Sequence, residues 1–276
     1  MKGQRMFEGK TIWITGASSG IGKALARAFG KVGAQLVLSG RREDALSALA
    51  DEIGSEKCLV LPFETTDYEA LAERVQDAVG FTGAIDGLIN NAGISQRSLA
   101  VDTDFAVYRR IVEVDLLAPI ALTQALLPHL LEREASWIVN ISSVAGKVGV
   151  PMRTAYCAAK HGLVGYGDAL RAECAQHGLH LLTVAPGSVR TDVSRNALAG
   201  DGSRRGVSDK AIDQGLEPSA VAQRILEALN KGEREIVIAD GMEAGLPGMR
   251  AESPDQVFDL MDRMVREGYA RRMDAR

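Results

Sequence analysis

The chain is poor in the residues that build disulfide frameworks and metal centres. Its 276 residues include three cysteines, Cys58, Cys157 and Cys174, and four histidines. No two cysteines share a C-x-x-C spacing, which argues against both a disulfide scaffold and a zinc site. No metal is expected, and this cysteine usage fits a reduced, cytoplasmic setting. Positive charge is not in surplus either: the formal net charge is −4. That leaves no basic field for nucleic acid or for anionic lipid. No run of eighteen apolar residues occurs, so no membrane span is expected. The opening Met1-Lys2-Gly3-Gln4-Arg5 has no apolar core that would make it a leader peptide. Pro/Gly-rich linkers, internal repeats and low-complexity tracts are also missing, so residues 1–276 read as one domain.

What the chain does have is alternation. Apolar runs near 10–15, 35–40, 57–62, 85–90, 136–142, 180–186 and 235–239 read as strands. Segments of helical period fall near 20–32, 43–53, 67–80, 105–133, 154–177 and 218–231. Strands alternating with helices predict the α/β class, a parallel sheet with helices on both faces and right-handed crossovers. Nearly continuous apolar strands such as Leu36-Val37-Leu38 suit a sheet covered on both sides. Two stretches break the pattern. Residues 188–216, rich in Ser, Gly, Asp and Arg, are too long for an idle connection and read as a lid. Residues 241–276 form an extension that begins Gly/Pro-punctuated over 241–254. It then carries Val257, Phe258, Leu260, Met261, Met264 and Val265 at helical spacing, a packing stripe.

After the first strand comes Thr15-Gly16-Ala17-Ser18-Ser19-Gly20-Ile21-Gly22, opening into a helix. Glycines allow a tight turn and a close backbone approach, and a helix N-terminus offers amide donors to a pyrophosphate. Between a first strand and a helix, with a second strand following, this loop predicts a dinucleotide site. The second strand ends in Leu38-Ser39-Gly40-Arg41-Arg42, without the carboxylate that would hold an NAD ribose. Arg41, helped by Arg42, offers a planar, always-charged fork for a 2′-phosphate, so NADP(H) is expected over NAD(H).

Tyr156 and Lys160 stand four residues apart, and Ser143 lies thirteen residues before the tyrosine. On a helix, positions i and i+4 share a face. A phenol with an ordinary pKa near ~10 is a poor acid or base at neutral pH, and a neighbouring cation favours its anion. Tyr-x-x-x-Lys alone is a weak signal, since a solvated helix face produces it by chance.

Together these residues resemble the short-chain dehydrogenase/reductase family, over about residues 9–240. The glycine loop from Thr15 to Gly22 matches, as does Asn90-Asn91-Ala92-Gly93 at the end of the fourth strand. Ser143, Tyr156 and Lys160 match the catalytic set, and Pro186-Gly187-Ser188-Val189-Arg190-Thr191 looks like the motif that meets the nicotinamide. The stretch from Thr191 through Gln223 is similar to the dehydrogenase/reductase member seven B branch, without the membrane anchor of such relatives. The resemblance implies a Rossmann-type, doubly wound sheet of about seven strands in the order 3-2-1-4-5-6-7.

It also implies roles. Tyr156 is the general acid for a carbonyl oxygen, or the base in reverse; Ser143 holds that oxygen; Lys160 tunes the phenol and binds the nicotinamide ribose. Gly16, Ser18, Ser19, Gly20, Ile21, Gly22, Arg41, Arg42, Glu64, Thr65, Asn91, Ala92, Gly93, Tyr156, Lys160, Pro186, Gly187, Val189 and Thr191 are the expected cofactor contacts. Asn90 resembles the residue that steadies the central sheet. Asp115 stands where the family carries a catalytic Asn, which predicts an active enzyme with an altered pH profile.

The function expected is NADPH-dependent carbonyl reduction or its reverse; the alternative is an NADP(H)-binding scaffold or redox sensor of the same fold. Ser143, Ala145, Met152 and Tyr156 are the expected substrate contacts, with Ser95, Gln96, Val144 and Val189 also at the mouth. Mostly apolar walls predict a small hydrophobic carbonyl or alcohol. The long helices near 105–133 and 154–177 imply, by the same resemblance, a homodimer or homotetramer.

Overall fold

The computed structural model describes residues 6–274. The opening Met1-Lys2-Gly3-Gln4-Arg5, read above as carrying no leader, lies outside the described residues. Seven parallel strands form one sheet in the order β3-β2-β1-β4-β5-β6-β7. They are β1 (Thr11–Thr15), β2 (Gln35–Ser39), β3 (Cys58–Val60), β4 (Gly87–Asn90), β5 (Ser136–Ile141), β6 (Leu179–Pro186) and β7 (Glu235–Ile238). The order reverses between β1 and β4, and ligands of open α/β sheets bind outside the strand carboxyl ends at such a point.

Helices cover both faces. They are α1 (Gly20–Lys31), α2 (Glu43–Ile53), α3 (Leu71–Thr82), α4 (Phe105–Val112), α5 (Ala118–Leu131), α6 (Thr154–Glu173), the short α7 (Lys210–Asp213) and α8 (Pro218–Asn230). On one face Leu25, Phe29, Ile225 and Leu229 pack on Ile14, Leu36 and Val184. On the other, Leu122, Leu126, Leu130 and Leu170 pack on Trp13, Leu88 and Ile138. Every residue of β1, β4 and β5 is buried, as strands covered on both sides require.

Two expectations need correction. The helix expected over 105–133 is divided by a five-residue π-helical turn, Glu113–Leu117. Such turns insert one extra residue and re-aim side chains, frequently at functional sites. The combined helical segment Phe105–Leu131 is long and apolar enough, by length and composition alone, to cross a membrane. Its inward side is spent on the sheet: Leu122, Leu126 and Leu130 belong to the core.

The second correction concerns the extension. The stretch 241–254, read as a Gly/Pro-punctuated break in the strand–helix pattern, is mostly helix: α9 spans Gly241–Glu252, followed by α10 (Pro254–Arg266) and α11 (Tyr269–Asp274). Pro247 sits inside α9, and Pro254 at the start of α10, where a missing N–H costs nothing. Leu246 of α9 and Val257 of α10 pack against Val144 and Val148, with Leu260 and Met261 joining them, while Phe258 and Val265 stay exposed.

Candidate active site

The cleft grows out of the carboxyl ends of β1, β4, β5 and β6. Thr15 Oγ1 ends β1 by accepting from the backbone N–H groups of Asn91 (3.0 Å) and Ala92 (3.1 Å), which ties β1 to the segment after β4. Asn91 Nδ2 donates to the Thr15 carbonyl at 2.9 Å. Gly16, at φ +67°, could not carry a side chain: a Cβ there would lie 2.8 Å from Asn91 Nδ2 and 2.9 Å from Ala92 Cα. Asn91 therefore holds the loop in addition to lining the cleft. Asn90 points the other way, donating to Thr123 Oγ1 and Asn140 Oδ1 inside the sheet, each at 2.9 Å.

The cleft encloses about 700 Å³ and is lined by the loop residues Gly16, Ser18, Ser19, Gly20 and Ile21, and by Arg41, Arg42, Glu64 and Thr65. Asn91, Ala92, Gly93, Pro186, Gly187, Val189 and Thr191 continue the lining. Gly22 faces back into the fold, where a Cβ would overlap the Gly16 carbonyl. These features fit a dinucleotide: a glycine cradle with no room for side chains, at the amino end of α1.

At the second-strand end, Arg42 Nη2 donates to the Ser18 carbonyl at 3.0 Å. The strand end itself carries no carboxylate, yet the structure brings one from the loop after β3. Glu64 Oε2 lies 3.8 Å from Arg41 Nη1 and 3.4 Å from Nη2 of Arg110, a residue of α4. Two guanidinium groups thus flank one carboxylate at this corner, with Arg42 beside them on Ser18. Arg110 had no sequence signal, because its reach into the cleft depends on how α4 docks.

At the opposite end Ser143, Tyr156, Lys160 and Asp115 line the same cleft. Ser143 Oγ faces it, accepting from Ala145 N–H (3.1 Å) and donating to the Pro186 carbonyl (3.3 Å). Ser142 Oγ is occupied with the Lys160 carbonyl at 3.0 Å. Lys160 Nζ lies 5.6 Å from the Tyr156 ring centroid, donates to the Ile141 carbonyl at 3.1 Å and pairs with Asp115 Oδ2 at 3.3 Å. The π-helical turn delivers Asp115, fully buried, to this lysine, and Asp115 Oδ1 accepts from Ile94 N–H at 2.8 Å. Burial pushes the Asp115 carboxyl up, against the pull of Lys160. Burial works to lower Lys160, yet the charges of Asp115 and Tyr156 leave it raised overall, held as an ammonium.

The consequence for pH dependence has a definite sign. Asp115→Asn removes a negative charge beside Lys160 while keeping an acceptor for Ile94. The ammonium then gives up its proton at lower pH. The alkaline limb of the pH–rate curve should move toward acid, by about one unit. A variant curve that overlays the parent's would refute this electrostatic role.

The substrate residues expected from sequence are only partly placed as expected. Ser143 and Tyr156 line the cleft; Ala145 and Met152 do not, and both are buried. Val144, beside Ala145, is covered by Leu246 and Val257 of the extension. Met152 takes a left-handed φ of 64° and turns its carbonyl to Ser98 N–H. Ser95 and Gln96 also miss the mouth: the Ser95 carbonyl accepts from Leu198 N–H, and Gln96 Oε1 accepts from Ala155 N–H. The lid supplies the wall instead, through Val193, Asn196, Leu198, Arg204 and Ile212. Leu198 and Ile212, apolar points in a polar loop, were the available signal.

A sheet of this order with a glycine cradle and a Ser, Tyr and Lys set defines a nucleotide-dependent oxidoreductase of the α/β class. The family model described as short chain dehydrogenase matches residues 10–201, and the chain belongs to that family. Dehydrogenase/reductase SDR family member 7B of Bos taurus is 40% identical over 262 residues, covering 92% of this chain and 81% of that protein. Its Danio rerio counterpart is 40% identical over 239 residues, 83% and 77% of the two chains. A short-chain dehydrogenase from Streptomyces avermitilis superposes with a TM-score of 0.80 at 27% identity, over 95% of this chain and 98% of that one. A Burkholderia phymatum short chain dehydrogenase/reductase, solved in complex with NAD, shares the fold with a TM-score of 0.81 at 23% identity, over 91% and 95% of the chains.

Proposed function

We propose that the protein is an NADP(H)-dependent oxidoreductase that reduces a ketone or aldehyde to an alcohol, or runs the reverse. The observation that carries this reading is the convergence of Ser143, Tyr156 and Lys160 at one end of a cleft whose other end holds the glycine cradle and Arg41. The cofactor supplies the hydride. Tyr156 donates its phenolic proton to the carbonyl oxygen as negative charge develops there. Ser143 donates a hydrogen bond to the same oxygen and so holds the reacting carbon in place. Lys160, anchored by the Ile141 carbonyl and Asp115, keeps a positive charge beside the phenol.

Preference for the phosphorylated cofactor is supported by the surplus of guanidinium groups around Glu64. Arg41→Asp should raise KM for NADPH by about tenfold or more and leave KM for NADH nearly unchanged. An equal response to the two cofactors refutes the assignment. Val189, Val193, Leu198 and Ile212 support a hydrophobic carbonyl as substrate. The reading is tested by following nicotinamide absorbance with NADPH and NADH over a panel of hydrophobic and charged ketones and aldehydes. No turnover on any of them, or preference for small charged keto acids, would count against it.

The same proposal includes a cytoplasmic setting, supported by three free, buried cysteines. It also includes a homodimer or homotetramer, supported by Phe105 and Leu117, which leave apolar surface exposed along the Phe105–Leu131 helical segment.

A further inference from the structure

Three parts of the molecule meet at Ser188. It follows Pro186 and Gly187 of the cleft wall, it opens the lid, and α9 grips it from outside. The Ser188 N–H donates to Glu243 Oε2 at 2.6 Å, and its hydroxyl donates to Glu243 Oε1 at 2.9 Å. Glu243 is the third residue of α9, where unpaired amides and the helix dipole favour a carboxylate. Its carboxylate lies so close over Gly187 that a Cβ at 187 would overlap it. A side chain at 187 would also meet Ala239 Cβ, 2.7 Å from a Cβ placed there.

The far end of the lid closes on the same residue. Leu216 N–H donates to the Ser188 carbonyl, and Arg190 N–H donates to the Leu216 carbonyl, each at 2.9 Å. A second tie lies farther along the lid. Arg153 donates to Tyr269 Oη of α11 at 2.8 Å and to Asp209 Oδ2 at 3.3 Å. The extension therefore touches the lid system both at its base and, through Arg153, at its later part.

We propose that residues 241–274 act as a clasp on the cleft, with Glu243 as the positioning residue that fixes the Pro186-Gly187-Ser188 backbone against the nicotinamide end of the cofactor. This inference rests on the dinucleotide reading above. With both donors of Ser188 committed to one carboxylate, the wall from Gly187 to Thr191 is held in its binding pose before the cofactor arrives. Less ordering entropy is then lost on binding. The adenosine end, built from the loop after β1 and from Arg41, lies outside the clasp.

The experiment titrates the full-length protein and its Glu243→Ala and Glu243→Gln variants with two probes. One probe is NADPH; the other is adenosine 2′,5′-bisphosphate, which carries the adenosine end without a nicotinamide. Glu243→Ala should weaken NADPH by about tenfold and reduce the fluorescence enhancement of the bound nicotinamide, with the bisphosphate unaffected. Glu243→Gln keeps an acceptor for the Ser188 N–H and should recover most of the loss. Unchanged NADPH affinity in Glu243→Ala overturns the clasp, as does an equal loss on both probes. If the parent binds neither probe, the dinucleotide reading falls and takes the clasp with it.

Discussion

Tyr156→Phe should lower kcat by about 10²–10⁴-fold while leaving the affinity for NADPH within about twofold of the parent's. The substitution removes one oxygen and keeps the ring, so the 5.6 Å approach of the Lys160 ammonium to that ring survives. Tyr156 is half-buried on α6 and Phe fills nearly the same volume, so the fold is not at risk. The loss should fall on kcat, because in the proposed reaction the phenol acts on the reacting oxygen only as charge develops. Single-turnover kinetics beside a cofactor titration separate the two effects. Parent-like turnover in the variant would move the proton donor elsewhere, and loss of cofactor binding would show that the phenol acts in binding alone.

The second large effect is on stability. Asp209 is buried and receives Arg97 Nε at 2.6 Å, Arg153 Nη2 at 3.3 Å and a close contact from Arg205 Nη1. Arg97, itself buried, also donates to Ser95 Oγ and the Gln96 carbonyl, each at 2.7 Å. Asp209→Ala leaves buried guanidinium groups without their shared carboxylate. Breaking such a pair from one side costs about 3–5 kcal/mol, and a drop of that size should appear in urea or thermal unfolding.

The same carboxylate sets an acid limit. Burial alone would push it up, but Arg97, Arg205 and Arg153 together bring it below its ordinary value. A depressed carboxylate stabilises the folded state above the unfolded pKa, near ~3.9, and loses that contribution as pH falls through the folded value. The parent should therefore lose stability on acidification more steeply than Asp209→Ala. Parallel stability–pH curves would remove Asp209 from the account.

The sheet was legible because each strand is short, apolar and flanked by helical periodicity. Residue order along the chain then leaves few topologies open to a right-handed fold. The meeting of Ser143, Tyr156 and Lys160 in one cleft was legible for a similar reason, since Tyr156 and Lys160 share one helix and Ser143 sits just past the end of β5. Ala145 and Met152 lie buried and off the cleft lining, because nearness in sequence to Ser143 and Tyr156 is not nearness in space. Leu246 and Val257, from a segment about one hundred residues later, pack on their neighbours Val144 and Val148.

Glu64 and Arg110 show the same limit in the cofactor corner: their meeting is a product of how the loop after β3 and α4 dock. The π-helical turn at Glu113–Leu117 was read as continuous helix because one extra residue per turn leaves the apolar pattern almost unchanged.

The partnership of Lys160 with Asp115 bears on the resting form of the protein. An ammonium sealed away from water without a counter-charge would press the unliganded molecule toward local opening. Here neutrality is built in by the chain itself, so the protein should purify, store and crystallise without added nucleotide, its floor already in the working shape.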